Sequence, residues 1–155
     1  MRLYNTLAGT AQEFTPADGK NVKMYVCGVT PYSSTHVGHA LSYVVFDVLR
    51  RYLEYLGYSV RHVQNFTDVD DKIIQRAQER GMGVEELADQ YIDEFYQTMD
   101  ALNIQRAHVY PRATQEITPI VATIEGLVDK GYAYQSGGDV YFRVRKDQGY
   151  GRLSH

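Results

Sequence analysis

This chain predicts an α/β fold built on a parallel sheet, on three observations. There is a short apolar run at Met24-Tyr25-Val26-Cys27, a long stretch of helical spacing behind it, and a second apolar run ending at Asn65. The first run is strand-length and reads as a buried strand over 22–26. Val44, Val45, Val48, Leu49, Tyr52, Leu53 and Leu56 then recur at helical spacing, which predicts a helix over 40–56 that Gly57 stops. The run from Tyr58 to Asn65 supplies the next strand, over 60–65. Two strands bridged by a helix form a parallel βαβ unit, for which the right-handed crossover is the rule.

The pattern then turns helical. Residues 70–80 predict a short helix ending near Gly81, and 84–102 a longer one with Leu87, Tyr91, Phe95, Met99 and Leu102 on one side. A further helix over 115–130 ends at Gly131. After it, Tyr132-Ala133-Tyr134 and the run 139–144 flank Gly137-Gly138, the signature of a β-hairpin. The change from a parallel unit to an antiparallel hairpin puts a boundary near residue 115, dividing the chain into 1–114 and 115–155. No internal repeat or low-complexity segment interrupts this order.

At 155 residues the chain is long enough to bury roughly two-thirds of its unfolded surface, and one domain with a small appendage is expected. The formal charge of −3 shows no overall basic bias, so the composition does not announce a nucleic-acid-binding module, and no DNA partner is expected. No run is long enough to span a bilayer, and residues 1–6 lack the apolar core of a signal peptide, so no membrane partner is expected. The single cysteine excludes an internal disulfide and fits a reducing, cytoplasmic setting. Of the fourteen tyrosines, many stand beside charged residues and read as half-buried packing groups.

The densest chemistry lies at His36-Val37-Gly38-His39, at the mouth of the first helix. A helix start presents unpaired N–H groups and the positive end of the macrodipole. Gly38 permits close approach of a phosphate, and His36 and His39 add side-chain donors to the same anion. The bland alternative is that one histidine simply caps the helix. Cys27 ends the first strand, where open α/β sheets bind ligands, although a lone cysteine is more often a small packing residue. Thr67 follows the second strand and suits either a substrate hydrogen bond or a helix cap; both readings stay open. Asp68, Asp70 and Asp71 lack the glycine and distal glutamate of a calcium loop and read as helix-start charges. Asp47 and Arg50 read as solvent or structural residues and His62 as a packed or edge residue; His108 and His155 carry no assignment.

Taken together, Met24-Tyr25-Val26-Cys27-Gly28, His36-Val37-Gly38-His39, the run 43–48 and the run Asn65 to Ile74 are similar to the class I aminoacyl-tRNA synthetases. Within that class the resemblance is to the amino-terminal part of the cysteinyl-tRNA synthetase family. Pro111-Arg112-Ala113-Thr114 and the run 138–142 extend it over essentially the whole chain. The cysteine ligase of mycothiol synthesis resembles the same framework; Thr30-Pro31-Tyr32 leans toward it and Lys72-Ile73-Ile74 toward the synthetase.

The resemblance implies the first half of a Rossmann-like catalytic domain over 1–114 and the start of a connective insertion over 115–155. It implies ATP-dependent activation of L-cysteine and transfer to tRNA(Cys), with Mg²⁺ accompanying ATP. His36 and His39 would act on the phosphates, with Thr35 and Gly38 completing the ATP site. Cys27, Gly28, Thr30 and Thr67 would contact the amino acid. Cys27 would also be one ligand of a Zn²⁺ that receives the substrate thiol, its other family ligands lying beyond residue 155. A four-ligand site needs more than one thiolate, so zinc binding by this polypeptide alone is expected to be weak or absent. The closing motif of the Lys-Met-Ser-Lys-Ser type does not occur here, so full tRNA charging is not expected of the chain, and a non-catalytic nucleotide-binding fragment is the rival of a different class. A parallel sheet cut at its middle exposes an edge, which predicts self-association or a swapped arrangement.

Overall fold

A computed structural model of the chain describes residues 1–154 and places them in two compact units. One is Pro16–Glu116. The other joins Met1–Thr15 to the chain from Ile117 onward, so the first fifteen residues do not group with 16–114. His155 lies outside the described residues.

The chain begins with an antiparallel hairpin, β1 (Arg2–Asn5) and β2 (Thr10–Glu13), whose residues are exposed apart from a half-buried Leu3. No alternating apolar pattern announces it. β3 (Asn21–Val29) then opens the larger unit, α1 (Val37–Tyr55) crosses over, and β4 (Ser59–Phe66) returns parallel to β3. Asn21 pairs with Ser59 and the register holds to Val26 and Gln64; it resumes at Val29 and Phe66. Between those two pairs β3 takes three steps and β4 only two, so a bulge falls at Cys27-Gly28.

The far edge of β4 carries a third extended segment that the apolar pattern does not reveal. The Gln64 and Phe66 N–H groups donate to the carbonyls of Val109 and Pro111, at 3.1 and 2.9 Å, and both bridges run parallel. α2 (Asp71–Arg80) and α3 (Val84–Ala101) pack on one another through Ile73, Ala77, Leu87, Ala88 and Tyr91. A second cluster, Val26, Val29, Tyr43, Phe66, Ile92, Phe95 and Met99, joins sheet, α1 and α3. Phe95 stands edge-on to both Phe66 and Tyr43 at 5.4 Å between ring centres, an arrangement aromatic quadrupoles favour.

In α1 most of the apolar stripe used above to recognise the helix turns outward. Val45 is 57% exposed, Val48 59% and Tyr52 46%; of that stripe only Leu53 is buried, beside Tyr43, Asp47 and Arg50. The inward polar pair is satisfied by the chain that follows α3. Asp47 accepts from Gln105 N–H at 2.9 Å and from Arg51 at 2.7 Å. Arg50 donates to the Arg106 carbonyl at 2.8 Å and to Glu54 at 2.9 Å. Buried charges need such partners, so both residues are structural.

The smaller unit completes itself with α4 (Ile117–Asp129) and the antiparallel hairpin β5 (Ala133–Ser136) and β6 (Asp139–Phe142). Gly137 and Gly138 form its two-residue turn with φ of 63° and 93°, the left-handed pair that matches the twist of a hairpin. Among the described residues no helix is long and apolar enough to cross a membrane.

Candidate nucleotide and amino-acid site

The carboxyl end of β3, the amino terminus of α1 and the loop after β4 meet the same end of the parallel sheet, where open α/β folds bind ligands. At the helix start both histidines act as caps. His36 Nδ1 accepts from Gly38 N–H at 3.1 Å, and His39 Nδ1 accepts from His36 N–H at 3.4 Å. The two rings stack with centres 3.8 Å apart. A backbone N–H can only donate, so each Nδ1 is an acceptor and each neutral ring carries its proton on Nε2. Burial, and then the adjacent His36 ring, hold the His39 pKa below the ordinary histidine range. The helix therefore displays neutral imidazoles whose Nε2–H groups remain for an anion. The capping role and the phosphate role use different nitrogens of the same rings.

Cys27 stands at the bulge and is exposed. Its carbonyl accepts from the Tyr43 hydroxyl at 3.3 Å, which ties the strand end to α1 one helical turn beyond His39. Burial first, then the nearby Cys27 and Tyr110, push the Tyr43 hydroxyl up to about 12, so it stays protonated and donates. Gly28 is required by a backbone approach. A Cβ there would lie 1.5 Å from the Asn65 carbonyl oxygen. Its N–H donates to Asn65 Oδ1 at 2.8 Å, which leaves that group engaged within the protein.

Thr30 and Thr35 are half-buried in the loop between β3 and α1, and the Thr30 carbonyl accepts from Tyr32 N–H at 2.9 Å. Thr67 continues the sheet, donating its N–H to the Val29 carbonyl at 3.1 Å. Its hydroxyl does not cap α2; Asp70 does, accepting from Lys72 N–H at 2.9 Å, with Asp71 in the first turn. Asp68 is a correction to the helix-start reading. It is buried, and its carboxylate accepts from Thr114 N–H at 3.0 Å and Thr114 Oγ1 at 2.6 Å. A carboxylate answers two donors better than one oxygen of a cap would, and so it binds the loop after β4 to residue 114.

His62 is buried on β4, and neither ring nitrogen meets a hydrogen-bond partner among the described residues. His108 Nδ1 accepts from His62 N–H at 3.0 Å, which makes His108 structural. Among the described residues no group of three histidine, cysteine, aspartate or glutamate side chains is placed to hold a metal ion. The residues present thus do not make a zinc centre around Cys27. The residues that sequence reasoning missed are Asn65, Tyr25 and Tyr43, which organise the site without being obvious ligands. A faint signal existed in Asn65, since asparagine is depleted from strands.

A paired-histidine helix start over the end of a parallel sheet fits the class I synthetase catalytic fold. The chain is similar to Mycobacterium tuberculosis methionyl-tRNA synthetase in complex with methionyl-adenylate, with a TM-score of 0.69 and 25% identity over 74% of this chain and 23% of that one. A second structure of that enzyme, bound by methionyl-adenylate, shares the fold at a TM-score of 0.61 and 20% identity, over 83% of this chain and 29% of that one. Residues 13–155 match the tRNA synthetases class I (C) catalytic domain, and the chain belongs to that family.

Over its whole length the chain is 56% identical to a cysteine–tRNA ligase of Dehalococcoides mccartyi, covering 34% of that protein. It is also 56% identical to one from Caldicellulosiruptor saccharolyticus, over 100% of this chain and 33% of that one. With the cysteine–tRNA ligase of Clostridioides difficile the identity is 54% over 99% of this chain and 33% of the other. The chain spans about a third of the length of these curated relatives.

Proposed function

We propose that this chain carries the amino-acid-activating corner of a cysteine–tRNA ligase, acting in the cytoplasm on L-cysteine, Mg²⁺-bound ATP and tRNA(Cys). In activation a cysteine carboxylate oxygen forms a bond to the α-phosphorus of ATP. The bond from that phosphorus to the bridging oxygen breaks, and pyrophosphate leaves with the electron pair. Such chemistry asks for positioning and charge stabilisation more than for a protein nucleophile. The neutral Nε2–H groups of His36 and His39, at the positive end of α1, suit the phosphates, with Thr35 and Gly38 beside them. Cys27, Gly28, Thr30 and Thr67 form the amino-acid side. Residues 1–114 are read as the first half of the catalytic domain and 115–155 as the start of the connective insertion.

The observation that carries this reading is the Tyr43 hydrogen bond to the Cys27 carbonyl. It fixes the thiol-bearing strand end to the helix whose first turn presents the histidine pair. Titration calorimetry with non-hydrolysable cysteinyl- and seryl-adenylate analogues tests it, with and without zinc. We expect both analogues to bind, zinc to leave their ratio unchanged, and His39→Ala to weaken both by about ten- to a hundredfold, the loss of a donor to a charged group. Binding of neither analogue would reject the activation reading. A zinc-dependent preference for the cysteinyl compound would reject the ligand count.

A partner reading has support of its own. The outward aliphatic stripe of α1 and the β3 edge that no other strand covers among the described residues favour self-association. Light scattering across concentrations is expected to show mass rising above that of one chain, with Val48→Lys shifting it back; a constant monomer mass would count against this.

A further inference from the structure

Resting on the reading that Cys27 and Thr67 face the amino acid, we infer that Asn65 is a positioning residue: its side-chain amide locks the bulge at Cys27-Gly28 and leaves the Thr67 hydroxyl its proton to donate to the substrate carboxylate. Asn65 is half-buried near the end of β4 and makes three side-chain hydrogen bonds. One atom of its amide faces Gly28 N–H at 2.8 Å. A backbone N–H can only donate, so that atom is Oδ1 and the amide orientation is decided. The Tyr25 hydroxyl donates to the same oxygen at 2.9 Å and fills its second lone pair.

Nδ2 is thereby turned to Thr67 Oγ1, at 3.2 Å. Nδ2 has only protons to offer, so Oγ1 accepts and the hydroxyl proton of Thr67 is left to point elsewhere. A hydroxyl held as an acceptor from behind keeps its proton free to donate in front, which suits a carboxylate. The same residue closes the bulge from two sides. Its side chain takes the Gly28 N–H that the register break frees from β4, and its carbonyl occupies the space where any side chain at position 28 would stand. Asn65 thus couples the backbone at Cys27-Gly28 on β3 to the hydroxyl of Thr67 beyond β4.

Asn65→Asp separates these roles from mere packing. It keeps the shape and the acceptor for Gly28 N–H and the Tyr25 hydroxyl, but it presents Oγ1 with an oxygen, so Thr67 must spend its proton on the protein. Asn65→Ala removes both functions. The experiment measures amide exchange by NMR on the 155-residue chain, and affinity for L-cysteine, whose carboxylate is free, by calorimetry.

We expect slow exchange of the Gly28 amide in the wild type and in Asn65→Asp, and fast exchange in Asn65→Ala. Thr67→Val should speed exchange of the Asn65 side-chain amide while sparing Gly28. Asn65→Asp and Thr67→Val should each weaken L-cysteine binding by about tenfold or more, for one hydrogen bond to a charged group. The double variant should bind no worse than either single one, and Thr67→Ser should bind like the wild type. Gly28 exchange that ignores Asn65→Ala, Asn65 amide exchange that ignores Thr67→Val, wild-type affinity in Asn65→Asp, or losses that multiply in the double variant would each overturn the inference. The expected exchange pattern with no L-cysteine bound by the wild type would uphold the lock and reject the activation reading instead.

Discussion

Gly28→Ala is expected to destabilise the larger unit by about 3 kcal/mol or more, measured as a fall in the urea midpoint. The added Cβ would lie 1.5 Å from the Asn65 carbonyl oxygen. That obstacle is backbone on the paired strand, so no rotamer change can relieve it; β3 and β4 would have to part where the bulge brings them closest. Gly38→Ala is the control. There the nearest atoms belong to the His36 ring, at 3.1 Å, and a side chain can move aside. We expect Gly38→Ala to change stability by about 1 kcal/mol or less, since the helix propensity gained on replacing a glycine offsets the crowding of the His36 ring, and to disturb His36 instead. A Gly28→Ala protein as stable as the parent would refute the close approach and return Gly28 to a simple pocket role.

Acid should weaken the fold well above the range in which carboxylates titrate. Burial, then Arg50 and His108, lower the His62 pKa from 6.5 to about 4, against a smaller opposing pull from Asp47. A depressed folded-state value means that the unfolded chain binds the proton first. Stability is therefore full above the unfolded value, falls as pH drops through it, and stops falling on this account below about 4. Between pH 7 and pH 5 the loss from His62 alone amounts to about 2 kcal/mol. His39 is shifted in the same direction and adds to the slope. His62→Leu should therefore flatten the pH dependence of the urea midpoint without abolishing it. An unchanged slope in that variant would show that His62 is not the buried neutral group described.

The elements that a local pattern can encode were legible. β3, α1, β4 and the three later helices follow runs and spacings that repeat within a few residues, and Gly137-Gly138 announces its turn by the backbone angles it alone adopts readily. The β1–β2 hairpin escaped because nearly all of its residues are exposed and show no alternation. The segment paired to the far edge of β4 escaped because it is short and irregular, held by the bonds to Val109 and Pro111 and not by a pattern of its own. The direction in which α1 faces was misleading for a similar reason. Spacing reveals that a helix has an apolar stripe, but Asp47 and Arg50 turn inward because partners at residues 105 and 106 await them.

The candidate site divides along the same line. The types and order of the chemical groups, a thiol at a strand end, two histidines about a glycine at a helix start and a threonine after the next strand, are matters of neighbouring residues and can be read from the chain. Which ring nitrogen is spent on capping, why position 28 excludes every side chain, and which way the Thr67 hydroxyl points depend on the geometry of the fold. Gly28 meets Asn65 across thirty-seven positions of sequence, and His62 meets His108 across forty-six. Hydrogen bonds and steric exclusion act only between atoms that are already close, and for residues this far apart it is the fold that brings them together.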